Sequence, residues 1–143
     1  MEKYLGVKII HAEPMTQGQA WAEKNNGISC CSPDNDPDGY KVVYEDGYVS
    51  WSPKDVFEKA YRRIDNLTFG LAVEALKQGK KVARKGWNGK GMWLIRISGK
   101  TGELPRGANS LLPFIGMKTV DDAFVPWLAS QIDILAEDWE IVE

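Results

Sequence analysis

The sequence predicts an α+β protein made of small antiparallel sheets, each with a packed helix, in two modules at residues 1–65 and 67–143. Three observations carry that expectation. Asp46-Gly47 lies between the β-branched and aromatic runs Tyr40–Tyr44 and Tyr48–Trp51, and an Asp-Gly pair supplies the positive dihedrals of a tight hairpin. Thr68 followed by apolar residues at helical spacing and then Gly79 marks a helix signalled at both ends. After it, short apolar runs alternate with turn residues, as hairpin strands do.

From the start of the chain, Tyr4–Ile10 is β-branched and apolar and predicts a strand leading to Pro14. Gln17–Lys24 predicts a short helix carrying Trp21. Asn25–Gly39 turns to Asn, Gly, Ser, Pro and Asp and predicts a loop. Asp34, Asp36 and Asp38 alternate as acids do in calcium loops, but Pro37 and the lack of a later bidentate Glu count against calcium. Ser52 reads as an N-cap, with Pro53 at the first helical position and Asp55 three residues after the cap. Val56, Phe57, Ala60, Tyr61 and Ile64 give that helix one apolar stripe ending near Arg63. Asp65-Asn66 is the expected junction, and the module before it reads as structural or dimer-forming.

In the second module the helix runs from its Thr68 cap through Gln78, with Phe69, Ala72, Val73 and Leu76 available for packing. Lys81–Arg84 predicts a strand, Trp87-Asn88-Gly89 a turn, and Met92–Ile97 a strand with Trp93, Ile95 and Ile97 on one face. Ser98–Ser110 reads as a long exposed loop. Phe114–Val120 and Ala123–Trp127 predict a hairpin turning at Asp121-Asp122. Ser130 and Asp133 have capping-box spacing for a short helix through Ala136, and Asp138–Val142 closes as a strand with Trp139 and Ile141 facing the same way. Trp93 and Trp139 read as core.

Composition narrows the function classes. The chain has 143 residues, with six Trp, five Tyr and four Phe, enough aromatic surface for a core. A net charge of −2 argues against a general binder of DNA or RNA, which would carry a basic excess. Residues 1–66 hold eight Lys and Arg against eleven acids, whereas the remainder holds ten against nine, so positive charge lies in the second module. Cys30 and Cys31 are adjacent, an arrangement that rarely meets disulfide geometry, and read as reduced thiols in a cytoplasmic protein. No stretch reads as a signal peptide or reaches the ~18 apolar residues of a membrane span. One isolated histidine, His11, and carboxylates scattered among caps and turns offer neither a nucleophile–base pair nor a ligand set, so no catalysis, metal or cofactor is expected.

One stretch concentrates binding chemistry. Between Gly79 and Lys90 stand Lys80, Lys81, Arg84, Lys85 and Lys90 without an acid, beside Trp87 and three glycines. Cations next to an indole suit an anionic ligand that carries a flat ring, such as a phosphate with a nucleobase. The alternative is a solvated basic strand ending in a turn, with Trp87 in the core.

Four segments then carry a resemblance: Thr68–Gly79; Ala83-Arg84-Lys85-Gly86-Trp87-Asn88-Gly89-Lys90; Val125-Pro126-Trp127-Leu128-Ala129-Ser130-Gln131; and Leu135-Ala136-Glu137-Asp138-Trp139. From about Leu67 onward the chain resembles the small, mostly phage-encoded Thoeris anti-defence proteins of the second type. The resemblance implies a sponge in the host cytoplasm that holds a cyclic nucleotide messenger, notably a glycosidically cyclised ADP-ribose, without cleaving it. It also implies a homo-oligomer, typically a tetramer, with pockets between chains; some relatives bind cyclic oligonucleotides at a second site. The 66 residues at the front and the loop at 98–110 depart from the short family members.

For a sponge, Trp87 and Trp127 are the candidate stacking surfaces; Asn88, Ser130, Gln131 and Asp133 are candidates for a base edge or ribose hydroxyls; Arg84, Lys85 and Lys90 are candidates for the pyrophosphate. Core packing for each Trp, and the capping box for Ser130 and Asp133, remain open at this point. Two other classes remain as well: a phage structural or host-protein interaction module, which the first module's resemblance to N-terminal segments of phage proteins of unassigned role would suit, and a phosphodiesterase.

Overall fold

The structure is a computed structural model and describes residues 1–3, 7–87, 91–99 and 107–142. It divides into two compact units, Met1–Arg62 and Arg63–Glu143, and contains both helices and two antiparallel sheets, an α+β architecture.

The first unit runs β1 (His11–Pro14), α1 (Gln17–Lys24), a single 3-10 turn (Pro33–Asn35), β2 (Gly39–Val43), β3 (Val49–Pro53) and α2 (Lys54–Ala60), with the strands in the order β1-β2-β3. Thr16 caps α1 through a reciprocal box with Gln19. Asp36 ties the loop to that helix start, its carboxylate accepting from Thr16 Oγ1 at 2.6 Å and Gly18 N at 2.7 Å. Alternation along β2 sends Tyr40 and Val42 to one face and Lys41 to the other. Tyr40 stacks on Phe57 of α2 at 4.1 Å, and Phe57 on Tyr61 at 4.9 Å. Lys41 instead meets Glu23 of α1 at 2.7 Å.

Four expectations for this unit are corrected. The first strand is His11–Pro14 rather than Tyr4–Ile10, of which residues 4–6 lie outside the described ones. A strand needs a partner: β2 offers Gly39–Val43, and its register reaches only from Pro14 to His11. Lys8 uses its position differently, with its ammonium 4.0 Å from the Tyr44 ring centre. Ser52 does not cap α2, because the ladder continues to Gly39↔Pro53 and holds Ser52 extended opposite Tyr40. The first helical N–H finds a backbone partner instead, Lys54 N donating to Asp38 O at 3.1 Å. The helix stops at Ala60 with Tyr61 extended, so Ile64 belongs to the second unit, where its carbonyl accepts from Ile141 N. In the hairpin only Gly47 has a positive φ, 80°; Asp46 does not, and the loop is the three-residue kind closed by Gly47 N to Tyr44 O.

The second unit runs α3 (Phe69–Lys77), β4 (Lys81–Arg84), β5 (Trp93–Ile97), β6 (Phe114–Lys118), β7 (Phe124–Pro126), α4 (Gln131–Ile134) and β8 (Trp139–Val142). Its sheet has the order β7-β6-β5-β4-β8, so the chain leaves one edge at β7, crosses through α4 and returns at the other edge. Thr68 Oγ1 caps α3 by accepting from Leu71 N. At the other end Gly79 takes φ 81°, which lets Lys80 N reach Ala75 O and Gly79 N reach Leu76 O, a Schellman closure. Gln78, read as the last helical residue, is the C-cap.

Val82, Leu94, Ile141 and Met117 lie opposite one another across the strands and share the face that carries α3. Leu67, Ala72, Ala75, Leu76, Val82, Leu94 and Trp139 form the buried cluster there. This corrects the reading of β5. Trp93, Ile95 and Ile97 do share a face, but Leu94 opposes Val82, so the buried parity is the other one. Trp93 lies half-buried on the far side, with the Lys81 ammonium 4.9 Å from its ring. The hairpin between β6 and β7 turns where expected, with Asp122 at φ 62° and Thr119 N donating to Ala123 O. Residues 100–106 of the loop read at 98–110 lie outside the described residues.

Candidate functional site

Trp139 is fully buried at the start of β8 and gathers three other rings around it. Phe69 lies 5.5 Å away, Trp87 5.6 Å away at 77°, and Trp127 5.9 Å away at 80°. Trp87 and Trp127 also meet each other edge-on, 6.3 Å apart. Both outer indoles are half-buried, so each has one part in the core and another toward solvent. Edge-to-face aromatic pairs of this kind add ~0.5–1.5 kcal/mol each beyond area burial. The indole N–H of Trp139 donates to Asp133 O at 2.9 Å, which hooks α4 onto the ring.

Different elements deliver the outer rings. Trp87 follows β4 by three residues, and its N–H closes a turn onto Arg84 O. Trp127 follows β7 directly, and its N–H continues the ladder to Ile115 O at 2.9 Å. The cross-sheet return from β7 to β8 is what brings positions forty residues apart in sequence together.

Beside the rings is a charged triad. Arg84 Nε donates to Asp138 Oδ1 at 2.8 Å and Nη2 to Asp138 Oδ2 at 3.3 Å, while Nη1 donates to Asp133 Oδ1 at 2.9 Å. The Arg84 hydrogen bonds hold the Asp138 carboxyl below the usual range. At Asp133 burial pushes upward, but bonds from Ser130 and Arg84 together outweigh it and lower the value. Two carboxylates on one guanidinium leave the triad net negative.

The candidate residues therefore fall into separate roles. Arg84 is only 16% exposed and commits three of its five N–H groups to Asp133 and Asp138. Ser130 and Asp133 form the capping box of α4, with Ser130 Oγ and N both donating to Asp133 Oδ2. Lys85 and Gln131 are exposed. Asn88 and Lys90 lie outside the described residues. Asp138, absent from the candidates, is central to the geometry; β8 pairs Trp139 with Arg84, a long-range register that no local spacing announces.

Two recesses lie elsewhere among the described residues. One of about 550 Å³ lies in the first unit, lined by Lys8, Ile9, Tyr44, Glu45, Asp46 and Tyr48, and a smaller one of about 180 Å³ lies between α3 and the sheet near Arg96; neither is lined by Trp87 or Trp127. Leu128, which follows Trp127, and Ile132 and Leu135 at α4 are 91%, 75% and 78% exposed. Among the described residues no three His, Cys, Asp or Glu side chains are grouped to hold a metal ion, and no helix is long and apolar enough to cross a membrane. The Cys30 and Cys31 sulfurs stand 3.3 Å apart, and their hydrogen bond, then burial, push the Cys31 thiol up to about 11, leaving it protonated at neutral pH.

Comparison with known proteins places matches on the second unit. Residues 67–142 match the family model described as "Thoeris anti-defense 2-like domain". A curated protein of Bacillus phage SP01, "Thoeris anti-defense 2", is 42% identical over 84 residues, covering 53% of this chain and 94% of that protein. The matched region contains α3, the sheet, the four aromatic rings and the triad.

Proposed function

Because the chain belongs to the Thoeris anti-defense 2-like family, we propose that it is a phage anti-defence protein that sequesters a cyclic ADP-ribose messenger in the host cytoplasm without cleaving it. Counteraction of Thoeris is the part that the family carries; messenger, mode and compartment are our reading. The observation that carries it is the pair of half-buried indoles, Trp87 and Trp127, held edge-on by the buried Trp139, with Trp87 inside the basic segment from Gly79 to Lys90.

Micromolar to nanomolar binding requires about 8–12 kcal/mol, and stacking contributes ~1–3 kcal/mol per base, so several contacts must converge. The pyrophosphate falls mainly to Lys85 and Lys90, since Arg84 commits three N–H groups to Asp133 and Asp138 and the triad's own charge is negative. Asn88 and Gln131 supply polar contacts; Ser130 and Asp133 act mainly by fixing α4. A second copy of the chain completes the pocket in a homo-oligomer, for which the tetramer is the expected form. The half-buried indoles and the exposed Leu128, Ile132 and Leu135 support that assembly. The same exposed residues are what favour a second reading, a module that docks a host protein.

Trp87 also packs on the core, so its truncation would mix folding with binding. Trp87→Phe is the sharper test: it keeps an apolar ring but shrinks the stacking face. Affinity for cyclised ADP-ribose, measured by calorimetry, should fall about tenfold, ~1.4 kcal/mol. Unchanged affinity in the folded variant would remove Trp87 from the site.

A further inference from the structure

We infer that Asp138 is the positioning residue of the aromatic site, fixing through Gly86 and Arg84 the turn that presents Trp87. This rests on the sponge proposal only for its consequence in ligand binding; the positioning itself is a matter of geometry.

Lys85 and Gly86 are exposed, so burial does not hold the two residues that lead to Trp87. Asp138 does. Its backbone carbonyl accepts from Lys85 N at 3.1 Å, and its Oδ2 accepts from Gly86 N at 3.3 Å. The same carboxylate grips Arg84 by two bonds, and Arg84 O is the acceptor for Trp87 N at 3.2 Å. Every residue from 84 to 86 thus bonds to Asp138, and Trp87 hangs on the first of them. The approach is close: a Cβ on Gly86 would lie 3.3 Å from Asp138 Oδ2, so a side chain there would press on the carboxylate.

Both oxygens are used as acceptors, which makes the isosteric amide informative. In Asp138→Asn one orientation sets the NH2 group against Arg84 Nε, and the other sets it against Gly86 N and Arg84 Nη2. Either way a donor faces a donor while volume is conserved. Among the described residues the charged groups ion-paired around Asp138 are Arg84 of β4 and, across the guanidinium, Asp133 of α4.

The test follows the Gly86 amide and the Trp87 indole N–H of the full chain by NMR, without ligand. In Asp138→Asn, hydrogen-exchange protection of the Gly86 amide should drop about tenfold or more, and the Trp87 indole resonance should move while that of Trp139 stays. In the wild type the Gly86 amide shift should titrate in acid, below the ordinary carboxylate range, and this titration should vanish in the variant. An unchanged Gly86 amide and Trp87 indole in the variant would overturn the inference. If the variant fails to fold, the wild-type titration decides: a Gly86 amide that ignores acid overturns it. Affinity for cyclised ADP-ribose should then fall about tenfold in Asp138→Asn. A wild type that binds no ligand would sink the sponge proposal and leave the NMR result standing.

Discussion

The two units use aromatic residues in opposite ways. In Met1–Arg62 the rings Tyr40, Phe57 and Tyr61 stack in a row that stays half-exposed, and among the described residues there Val42 is the buried hydrophobic one. In Arg63–Glu143 one indole, Trp139, is withdrawn from solvent entirely, and the others lean on it edge-on. A buried central ring lets its neighbours be rigid without being hidden. In the proposed site this would let Trp87 and Trp127 meet a ligand at little ordering cost, whereas the stacked row of the first unit spends its ring faces on itself. Charge divides the same way, with the acid excess in residues 1–66.

The largest effect should come from removing the centre. Trp139→Ala leaves a cavity under three rings and strands the Asp133 carbonyl, and should cost the second unit ~3–5 kcal/mol in urea unfolding. A loss below 1 kcal/mol would mean that Trp139 does not organise the unit. Phe57→Ala removes the middle ring of the row in the first unit and should cost about 2 kcal/mol, less because the ring is only partly buried. An equal or larger loss than for Trp139 would break the contrast between the units.

The smallest effect separates the carboxylates. Asp133 and Asp138 in the second unit and Asp36 in the first are all held below their ordinary range. A lowered folded value means that the stabilisation is complete above the unfolded value of about 3.9 and is lost as pH falls through the folded one. Both units should therefore weaken in acid below about pH 4. Asp36 is held first by Thr16, then by the Gly18 N–H, both neutral, whereas Asp138 is held by Arg84. Added salt should accordingly blunt the acid sensitivity of the second unit and leave that of the first, read by residue-resolved NMR; equal responses would deny the ionic origin.

What the sequence made legible was local. Thr68 and Gly79 bound α3 because a cap and a left-handed residue act within one turn, and Ser130 with Asp133 marked α4 for the same reason. What stayed hidden depended on pairing. Whether Leu94 or Trp93 faces the helix is decided by registration against Val82; Trp93, Ile95 and Ile97 are the more apolar parity, whereas that of Leu94 ends in the exposed Arg96. Tyr4–Ile10 has the composition of a strand but no partner edge at residues 7–10, and Ser52 lost its cap role to a ladder that ran one pair further. In the candidate site, Trp87 and Trp127 were visible as types, but their common support on Trp139 and the capture of Arg84 by Asp138 come from β8 returning beside β4.

The most direct measurement is calorimetry of the purified chain against a panel of cyclic ADP-ribose isomers and cyclic oligonucleotides, followed by heat denaturation and mass spectrometry of the released ligand. Saturable binding of a cyclised ADP-ribose at micromolar affinity or tighter, with the ligand recovered intact, is the expected result. No heat across the panel, or recovery of a cleaved ligand, would contradict the account.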